Sequence, residues 1–371
     1  MKNILHLIDL AGPGGAETVF AELVAGVDRA RWRPFAAVCS DGWTARAARG
    51  AGVEPILIPK TRRAFDRGFL SGIIRAVRQH RIDLVQAHLL SPAVYGSVAA
   101  LLTGVPLVAT FHGQVDVAAD ERFRYLKFGL LRLGARRVVF VSDALRKVFL
   151  TRHPLSAAQT AVIHNGIDPG HFQPRRDTTL RQALGVGPQE ILVGAVGNLR
   201  PSKGYDVFLR AAALVAKRDP AYRFVVFGQY DTSDSPPILA FRDQLGLRER
   251  VIFAGYQEDV ARAINNLDLF LLTSREEGFS LATIEAMACG VPVVVTRSGG
   301  PEEIVTADRD GLMIERGSPE AVADAVLRLG KDRALRERLT AAAAVTARER
   351  FTTSAMVGAY ERLYEAVTST R

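Results

Sequence analysis

Cysteine is scarce in this chain of 371 residues, which contains only Cys39 and Cys289. Two cysteines, each in an apolar stretch, are too few for a disulfide framework or for a cysteine-based zinc site. So low a cysteine content fits a reducing compartment. We therefore expect the protein in the cytoplasm.

A long apolar run without a helix breaker is also missing. His6 and Asp9 interrupt the first ten residues, which are too short an apolar run for a secretory leader and predict a first strand instead. Residues 89–111 carry no charge and are long enough to span a bilayer. Gly104 and Pro106 divide that stretch into a helix and a strand, which argues against a membrane span.

Acidic residues are fewer than basic residues only in the first half of the chain. The net charge is +9, and residues 1–172 hold 22 Lys and Arg against 13 Asp and Glu, whereas the remainder holds 26 of each class. This asymmetry predicts that the first half meets an acidic partner. Repeated interleaving of aromatic and basic residues, zinc modules and helix-turn-helix signals are all lacking, so nucleic acid is not the expected partner.

The length of the chain exceeds what one hydrophobic core usually serves, so two domains are expected. In both halves, short apolar runs rich in β-branched residues alternate with segments of helical periodicity. Such alternation predicts the α/β class, with parallel sheets covered by helices and ligands at the carboxyl ends of strands. The turn-rich passage at residues 163–174, which includes Asn165, predicts a linker.

Residues 273–296 (TSREEGFSLATIEAMACGVPVVVT) predict a loop, a helix and a strand in close succession. Ser280 is placed to cap the helix, which begins at Leu281. The first N–H groups of a helix are unpaired and partially positive. Because this helix directly follows Gly278 and Phe279, its first turn is predicted to bind an anion such as phosphate.

Two carboxylates bracket the predicted anion site. Glu277 lies in the loop, and Glu285 lies one turn inside the helix. One carboxylate could face a group on one side of the phosphates. The other could accept from hydroxyls on the opposite side, so the pair suits a polyol phosphate. The alternative is that both glutamates are solvated and that the glycine only ends regular structure.

Two cations follow the strand predicted at residues 191–196. Arg200 and Lys203 directly precede a predicted helix, which would place both beside partially positive amides. That arrangement makes sense if a dianionic group sits between them. The alternative is a pair of solvated cations on a loop.

Two loops of the first half follow predicted strands. Gly14 and Gly15 open a helix, so their backbone could approach a phosphate or a sugar. His112 ends an apolar strand, where an imidazole can donate to or accept from a sugar hydroxyl near neutral pH. The alternative is a histidine that only caps its strand through its own hydrogen bonds.

Residues 277–294 (EGFSLATIEAMACGVPVV) resemble the Glu-x7-Glu signature of the retaining glycosyltransferases of family 4, which have the GT-B fold. The loop at Gly14, the histidine at position 112, Asn165-Gly166 and Lys203-Gly204 match the same family, so the resemblance spans nearly the whole chain. It implies two Rossmann-like doubly wound domains that face a cleft, and a C-terminal helix that crosses back to the first domain.

The domains expected from this resemblance are an acceptor-binding domain at residues 1–168, a domain that binds the nucleotide sugar at residues 169–350, and a terminal helix at residues 351–371. Arg200 would take the place of the family arginine, since Asn198 occupies the usual position. His88, which follows a strand, is the expected contact on the acceptor side.

The resemblance also implies site residues, none of which binds metal. The expected catalytic residues are His112, Arg200, Lys203 and Glu277. The expected donor-binding residues are Gly14, Gly15, Asn165, Tyr256, Gln257, Gly278, Phe279, Ser280, Leu281 and Glu285.

The expected activity is retaining transfer of a hexose-type sugar from a UDP- or GDP-sugar to a glycan, lipid-linked or small-molecule acceptor. Cations and helix amides would replace a divalent metal, so no metal and no cofactor beyond the donor substrate are expected. A nucleotide-sugar 2-epimerase of the same fold is the main alternative, and a catalytically silent sugar-nucleotide-binding module is another.

Residues 122–137 (RFRYLKFGLLRLGARR) predict a helix that contacts an anionic membrane surface peripherally. On a helical wheel, one stripe is expected to join the core, and it consists of Phe123, Leu126, Leu130 and Leu133. Tyr125 and Phe128 would then lie on the other face among cations. The alternative is a half-exposed core helix.

Overall fold

The computed structural model describes residues 1–61, 65–117, 123–153, 155–175, 179–230 and 233–369. The chain forms two compact units, each with its own parallel sheet. Unit 1 comprises Met1–Asn165 and Thr353–Arg371, and unit 2 comprises Gly166–Thr352. The predicted α/β class is confirmed.

Unit 1 is built on a sheet whose described strands run in the order β3-β2-β1-β4-β5-β6-β7, with every neighbouring pair parallel. Its central strands are apolar and buried along nearly their whole length, as expected of parallel strands covered on both faces. The strands are β1 (Lys2–Ile8), β2 (Trp32–Val38), β3 (Ile56–Leu57), β4 (Leu84–His88), β5 (Leu107–Phe111), β6 (Ala135–Phe140) and β7 (Thr160–Val162).

Most of the described helices of unit 1 connect one parallel strand to the next. Residues 90–111 form a helix followed by a strand, as Gly104 predicts, because this glycine ends the helix in the left-handed conformation. The helices are α1 (Gly15–Gly26), α2 (Trp43–Gly50), α3 (Arg67–Gln79), α4 (Leu90–Thr103), α5 (Arg124–Gly134), α6 (Asp143–Arg152) and, from the end of the chain, α15 (Thr353–Thr368).

Helix α15 packs on the sheet of unit 1. Its buried side chains include Tyr360 and Tyr364, which recur at helical spacing. The Tyr364 hydroxyl donates to Oε1 of Gln86 at 3.2 Å, and the ring of Tyr364 contacts the ring of Trp32 edge-on at 5.6 Å between centroids. At the same helix, the Glu361 carboxylate accepts from the backbone N–H of Asp28 at 2.7 Å.

The predicted core-facing stripe of α5 is wrong. Phe128 and Leu131 are buried, whereas Phe123, Leu126 and Leu133 are exposed. Phe128 stacks on His153 with ring centroids 3.6 Å apart and also meets the ring of Phe149. These partners are supplied by α6 and the residue after it, so the face that is buried depends on a neighbour that a helical wheel does not include.

Unit 2 is built on a second parallel sheet, with described strands in the order β10-β9-β8-β11-β12-β13. Its core lies between this sheet and the flanking helices α8, α13 and α14. The strands are β8 (Ile191–Val196), β9 (Tyr222–Phe227), β10 (Val251–Gly255), β11 (Leu269–Leu272), β12 (Val293–Thr296) and β13 (Leu312–Ile314).

The helices of unit 2 follow the strands, and α11 directly follows the loop after β11. They are α7 (Thr179–Ala183), α8 (Tyr205–Arg218), α9 (Ser235–Gln244), α10 (Val260–Asn265), α11 (Leu281–Ala288), α12 (Pro301–Ile304), α13 (Pro319–Lys331) and α14 (Arg333–Arg350). Within the described ranges of both units, every helix is too short or too polar to cross a bilayer.

Candidate functional site

An ion pair lies at the carboxyl ends of the neighbouring strands β8 and β11. The ammonium of Lys203 donates to Oε1 of Glu277 at 2.6 Å, and the hydroxyl of Ser274 donates to the same oxygen at 2.6 Å. Ser274 is fully buried, and the Glu277 side chain is nearly so. The carboxylate is thus held by a cation and a hydroxyl, which fixes its position before any ligand arrives.

The two loops that carry this pair are joined by backbone contacts. The hydroxyl of Thr273 donates to the carbonyl of Lys203 at 3.1 Å, and the N–H of Arg275 donates to the carbonyl of Ser202 at 2.8 Å. Gly204 has a φ of +64°, and a Cβ there would lie 2.1 Å from the Thr273 carbonyl oxygen. Only glycine therefore permits this close approach.

A third loop supports Glu277 from the end of β12. The N–H of Glu277 donates to the carbonyl of Ser298 at 2.8 Å, and the N–H of Gly300 donates back to the carbonyl of Glu277 at 3.0 Å. A Cβ at Gly300 would lie 2.5 Å from the carbonyl oxygen of Gly278. The backbone of the predicted anion-binding loop is therefore rigidly packed against its neighbour.

Ser280 occupies the N-cap position of α11 but does not cap the helix through its side chain. Its hydroxyl instead accepts from the hydroxyl of Thr283 at 2.8 Å. This corrects the predicted cap, because a second hydroxyl one turn along competes for the serine oxygen. The Ser280 side chain consequently leaves the N–H groups of the first turn, from Leu281 on, to other acceptors.

Phe279 turns its ring into the core of unit 2, where it meets the ring of Phe351 at 5.6 Å between centroids. Only the backbone of this predicted donor-binding residue can therefore meet a ligand. Glu285, one turn into α11, is also buried. Burial raises the pKa of Glu285 to about 7.

Arg200 is exposed at the turn before Lys203, and its guanidinium has no ion-pair partner within the described part of the chain. Asn198, at the position where the family arginine was expected, is engaged in structure. Its Oδ1 accepts from the backbone N–H of Gln229 at 3.0 Å. The structure therefore keeps Arg200 near the site without bringing it to Glu277.

The loop after β10 carries Tyr256 and Gln257, two of the expected donor-binding residues. Tyr256 is exposed, whereas the amide of Gln257 donates to the carbonyl of Ala254 at 3.1 Å and so stabilises the loop. A second exposed tyrosine, Tyr230, follows β9 and lies against Gly255. Its place after an apolar strand is the sequence signal that could have identified it.

In unit 1, His112 follows β5 and is anchored through its backbone. One carboxylate oxygen of Asp116 accepts from the N–H groups of His112 and Gly113 at 2.9 and 3.2 Å, and the other oxygen accepts from the N–H of Leu90 at 3.1 Å. Burial raises the pKa of Asp116 to about 6 despite these bonds. Nε2 of the His112 ring lies 3.0 Å from Nδ1 of His88.

His88 was predicted to contact the acceptor, and that prediction is wrong. Its side chain is fully buried, so no substrate can reach it. Its ring lies beside the rings of His6 and His112, and the ring of Phe20 from α1 packs edge-on against it.

Gly14 and Gly15 lie where α1 begins, after β1. A Cβ at Gly14 would lie 2.6 Å from a carboxylate oxygen of Glu17, so this carboxylate already covers the loop. At the same edge of the sheet, Lys60 forms an ion pair with Asp9. Sequence reasoning missed that pair because its members follow different strands.

Asn165 is buried at the last position before unit 2, and its Oδ1 has no partner within the described residues. The predicted site residues thus fall into two groups. Unit 2 holds Arg200, Lys203, Tyr256, Gln257, Glu277, Gly278, Phe279, Ser280, Leu281 and Glu285, whereas unit 1 holds Gly14, Gly15, His112 and Asn165.

One Asp-x-Asp segment, Asp308-Arg309-Asp310, is present before β13. The Asp310 carboxylate is buried and accepts from the N–H of Thr306 at 2.7 Å and from the hydroxyl of Thr346 at 2.8 Å. These bonds give Asp310 a structural role. Across the described residues, no cluster of three His, Cys, Asp or Glu side chains could hold a metal ion.

Two family models match the chain. Residues 13–171 match the model described as Glycosyltransferase Family 4, and residues 176–346 match the model described as Glycosyl transferases group 1. Together the two matches cover most of both units.

Curated proteins with similar sequences include two from bacteria. The D-inositol 3-phosphate glycosyltransferase of Mycobacterium marinum (strain ATCC BAA-535 / M) is 34% identical over 66% of this chain and 54% of its own length. The lipopolysaccharide core biosynthesis mannosyltransferase LpsB of Rhizobium meliloti (strain 1021) is 36% identical over 51% of this chain and 55% of its own length. The chain thus spans just over half the length of these relatives.

Solved structures share the fold. Anabaena Alr3699/HepE in complex with UDP-glucose has a TM-score of 0.89 at 24% identity and covers 99% of this chain and 100% of its own. WaaG, a glycosyltransferase involved in lipopolysaccharide biosynthesis, has a TM-score of 0.76 at 19% identity and covers 99% of each chain.

Proposed function

We propose, from the premise that this chain belongs to the group 1 and family 4 glycosyltransferases of the GT-B fold, that it transfers a hexose-type sugar from a nucleotide-diphosphate donor to an acceptor hydroxyl. The acceptor would be a glycan, a lipid-linked sugar or a small molecule. The donor would be a UDP- or GDP-sugar, and the solved structure of HepE with UDP-glucose supports this class.

The observation that carries the proposal is the arrangement of Lys203 and Glu277 around the start of α11. A donor's diphosphate would accept from the amides at Gly278 to Leu281 and from Lys203, while Glu277 would meet the sugar and Glu285 the ribose. Because the hydroxyl of Ser274 also holds Glu277, the carboxylate would stay in place when Lys203 turns to the phosphates. Preorganised donors of this kind stabilise charge as it develops.

The proposed transfer proceeds with retention at the anomeric carbon. The acceptor oxygen forms a bond to that carbon on the face from which the phosphate departs, and the electrons of the broken bond go to the phosphate oxygen. The leaving phosphate takes the acceptor's proton. Arg200, Lys203 and the amides of α11 would offset the growing charge in place of a divalent metal, so the reaction needs no metal and no cofactor.

A panel of nucleotide sugars tests this function directly. We expect nucleotide release only when a donor and an acceptor glycan or lipid-linked sugar are both present, and we expect Lys203→Met to abolish most of it. Lys217→Met, which removes an exposed lysine of α8, is the matched control. Donor turnover to an epimer without acceptor, or release that Lys203→Met leaves unchanged, would overturn the proposal. The similar proteins described above lend the epimerase alternative no support.

An exposed apolar surface on α5 bears on the location of the protein in the cell. Helix α5 and the residue before it expose Phe123, Tyr125, Leu126 and Leu133, with exposed fractions between 56% and 77%. Arg132, on the same helix, and Arg136, two residues after its end, are also exposed. We propose that this face docks on an anionic membrane from the cytoplasmic side, because apolar side chains can enter the interface while the cations meet anionic headgroups.

A further inference from the structure

A single peptide group of unit 2 lies between Glu277 and a second carboxylate, that of Glu302 in α12. The carbonyl of Ser298 accepts from the N–H of Glu277 at 2.8 Å. The N–H at the other end of the same peptide group, that of Gly299, donates to Oε2 of Glu302 at 2.9 Å. The two glutamates are therefore connected through one peptide plane, although one follows β11 and the other follows β12.

The Glu302 carboxylate also holds the preceding peptide group. Its Oε2 accepts from the N–H of Ser298 at 3.2 Å, so two neighbouring N–H groups converge on one oxygen. Hydrogen bonds from backbone N–H groups to a carboxylate are stronger than those between neutral groups. A trans peptide group points its N–H and its C=O in opposite directions. Holding the N–H of Gly299 therefore aims the Ser298 carbonyl at Glu277.

The Ser298–Gly299 peptide group depends on these bonds for its orientation. Gly299 has a φ of +110°, a conformation that residues with a side chain rarely adopt. Gly300 follows it directly. Because glycine rotates about its backbone bonds with little steric cost, two glycines in succession give this loop little stiffness of its own. Without the carboxylate, the peptide group could turn its carbonyl away from Glu277.

The backbone position of Glu277 matters because of the way its carboxylate is held. Within the described part of unit 2, the side chains that donate to this carboxylate are Lys203 and Ser274, and both meet Oε1. Oε2 is then the oxygen with which Glu277 would meet the sugar. The place of Oε2 follows from the backbone that carries the side chain. A misplacement of about 1 Å in a reacting site can lower the rate on the order of a hundredfold.

We propose that Glu302 is a positioning residue for sugar transfer: it fixes the Ser298–Gly299 peptide group and thereby holds Glu277 where Oε2 can meet the donor sugar. This inference rests on the proposed function. A glutamate in the first turn of a helix commonly reaches back to cap that helix. The N–H groups that Glu302 binds, however, belong to the loop that pairs with Glu277, where Gly299 forms a bridge with it.

Steady-state kinetics over a range of donor concentrations test this role. Glu302→Ala should lower kcat at least about tenfold. Donor KM should change less than about threefold, because Glu285, the proposed ribose contact, lies inside α11. Glu302→Gln should keep kcat within about threefold of the wild type, since its amide oxygen can accept from the same N–H groups. An unchanged kcat in Glu302→Ala, or equal losses in both variants, would overturn the proposal.

Asp332→Ala is the matched control for the loss of a cap. Asp332 is exposed, as Glu302 is, and its carboxylate accepts from the N–H of Leu335 at 2.9 Å. The whole of α13 separates it from the carboxyl end of β13. Both alanine variants lose a carboxylate and the hydrogen bonds that it accepts, but only Glu302→Ala should lower kcat at a temperature where both are folded. An equal loss in Asp332→Ala would mean that Glu302 acts only through the stability of unit 2.

Amide hydrogen exchange, resolved to single residues by NMR, tests the contact without any activity measurement. In Glu302→Ala, the N–H groups of Glu277 and Gly300 should exchange at least about tenfold faster than in the wild type. The N–H of Phe270, which donates to the carbonyl of Pro292 at 2.9 Å, should keep its rate. Equal acceleration of all three would indicate general destabilisation and would overturn the proposal. If the wild type transferred no sugar, the proposed function would fail, while the exchange of Glu277 would still decide whether Glu302 holds it.

Discussion

The hydroxyl of Tyr360, on the last helix, lies 3.1 Å from Oγ1 of Thr110, although 250 positions separate the two residues in sequence. Thr110 Oγ1 also accepts from the amide of Gln86 at 2.9 Å, and the carbonyl oxygen of that amide accepts from Tyr364. A chain of buried hydrogen bonds thus links α15 to β4 and β5, the strands at whose ends His88 and His112 lie.

Tyr360→Phe should destabilise unit 1 by about 1 kcal/mol, because it removes one buried hydrogen bond and keeps the ring. Both tryptophans of the chain, Trp32 and Trp43, lie in unit 1, so denaturant unfolding followed by tryptophan fluorescence reports this unit. Tyr125→Phe, at an exposed tyrosine of α5, should change nothing. Equal midpoints for Tyr360→Phe and the wild type would show that the bond contributes no stability.

Glu285 should make stability fall with rising pH. Its pKa is about 7 in the folded protein and 4.5 in an unfolded chain, so the folded state holds the extra proton between these values. Stability from this group is complete below pH 4.5 and is lost as pH rises through 7, a change of about 3 kcal/mol at most. Glu285→Gln should therefore be more stable than the wild type above pH 7. Thermal unfolding of both proteins at a series of pH values measures this difference. A lower stability of Glu285→Gln at pH 8 would contradict the raised pKa.

Lys203 and Glu285 should affect different kinetic constants. Lys203→Met removes a contact to charge that grows as the sugar–phosphate bond breaks, so kcat should fall about a hundredfold, equivalent to about 3 kcal/mol. Glu285→Gln removes contacts to ribose hydroxyls that are the same before and during reaction. It should therefore mainly raise donor KM, by the equivalent of about 1–2 kcal/mol of binding free energy. Steady-state kinetics over a range of donor concentrations separate these effects. An intact kcat in Lys203→Met would show that its role is wrongly assigned.

Sugar transfer should survive chelation of divalent metal, since Arg200, Lys203 and the first amides of α11 are proposed to stabilise the leaving diphosphate. The measurement is the rate of nucleotide release after dialysis against EDTA, with and without added magnesium or manganese. Equal rates are expected. Activity that disappears in EDTA and returns with either ion would rule out the metal-independent mechanism.

Binding to anionic vesicles should depend on the exposed face of α5. We expect the protein to sediment with vesicles that contain phosphatidylglycerol, to bind less as salt rises, and not to sediment with neutral phosphatidylcholine vesicles. Replacing Tyr125 and Leu126 by serine should weaken binding at least tenfold. Val345→Ser, at an exposed residue of α14 in unit 2, is the control. Equal binding to neutral vesicles would rule out docking on an anionic membrane surface.

Much of the fold follows from local pattern. The runs that became β8, β11 and β12 are short and carry no charge, and glycine or charged loops bound them, so their positions were predictable. Helix α9 was not predicted. It begins Ser-Pro-Pro and, of its ten residues, buries only Ser235, so it lacks the apolar periodicity by which a helix is recognised.

Contacts of the candidate site were predictable where both residues belong to one sequence motif. They were less predictable where the side chains come from different strands. The loop with Glu277 and the start of α11 lie within a few residues, so their proximity follows from sequence. The pairing of His88 with His112 depends on β4 and β5 being neighbours and on the orientation of each ring. Likewise, the role of Ser274 depends on a rotamer that spacing does not specify.

Unit 1 consists of two separate segments of the chain, which affects the order in which its parts are synthesised. Unit 2 is one continuous segment, Gly166–Thr352, whereas the sheet of unit 1 precedes it and α15 follows it. A ribosome therefore completes the strands of unit 1 and then all of unit 2 before it produces the helix that covers Gln86 and Thr110. We expect the nascent chain to carry an unfinished first unit through most of translation, with its buried polar side chains exposed to chaperones until the last helix emerges.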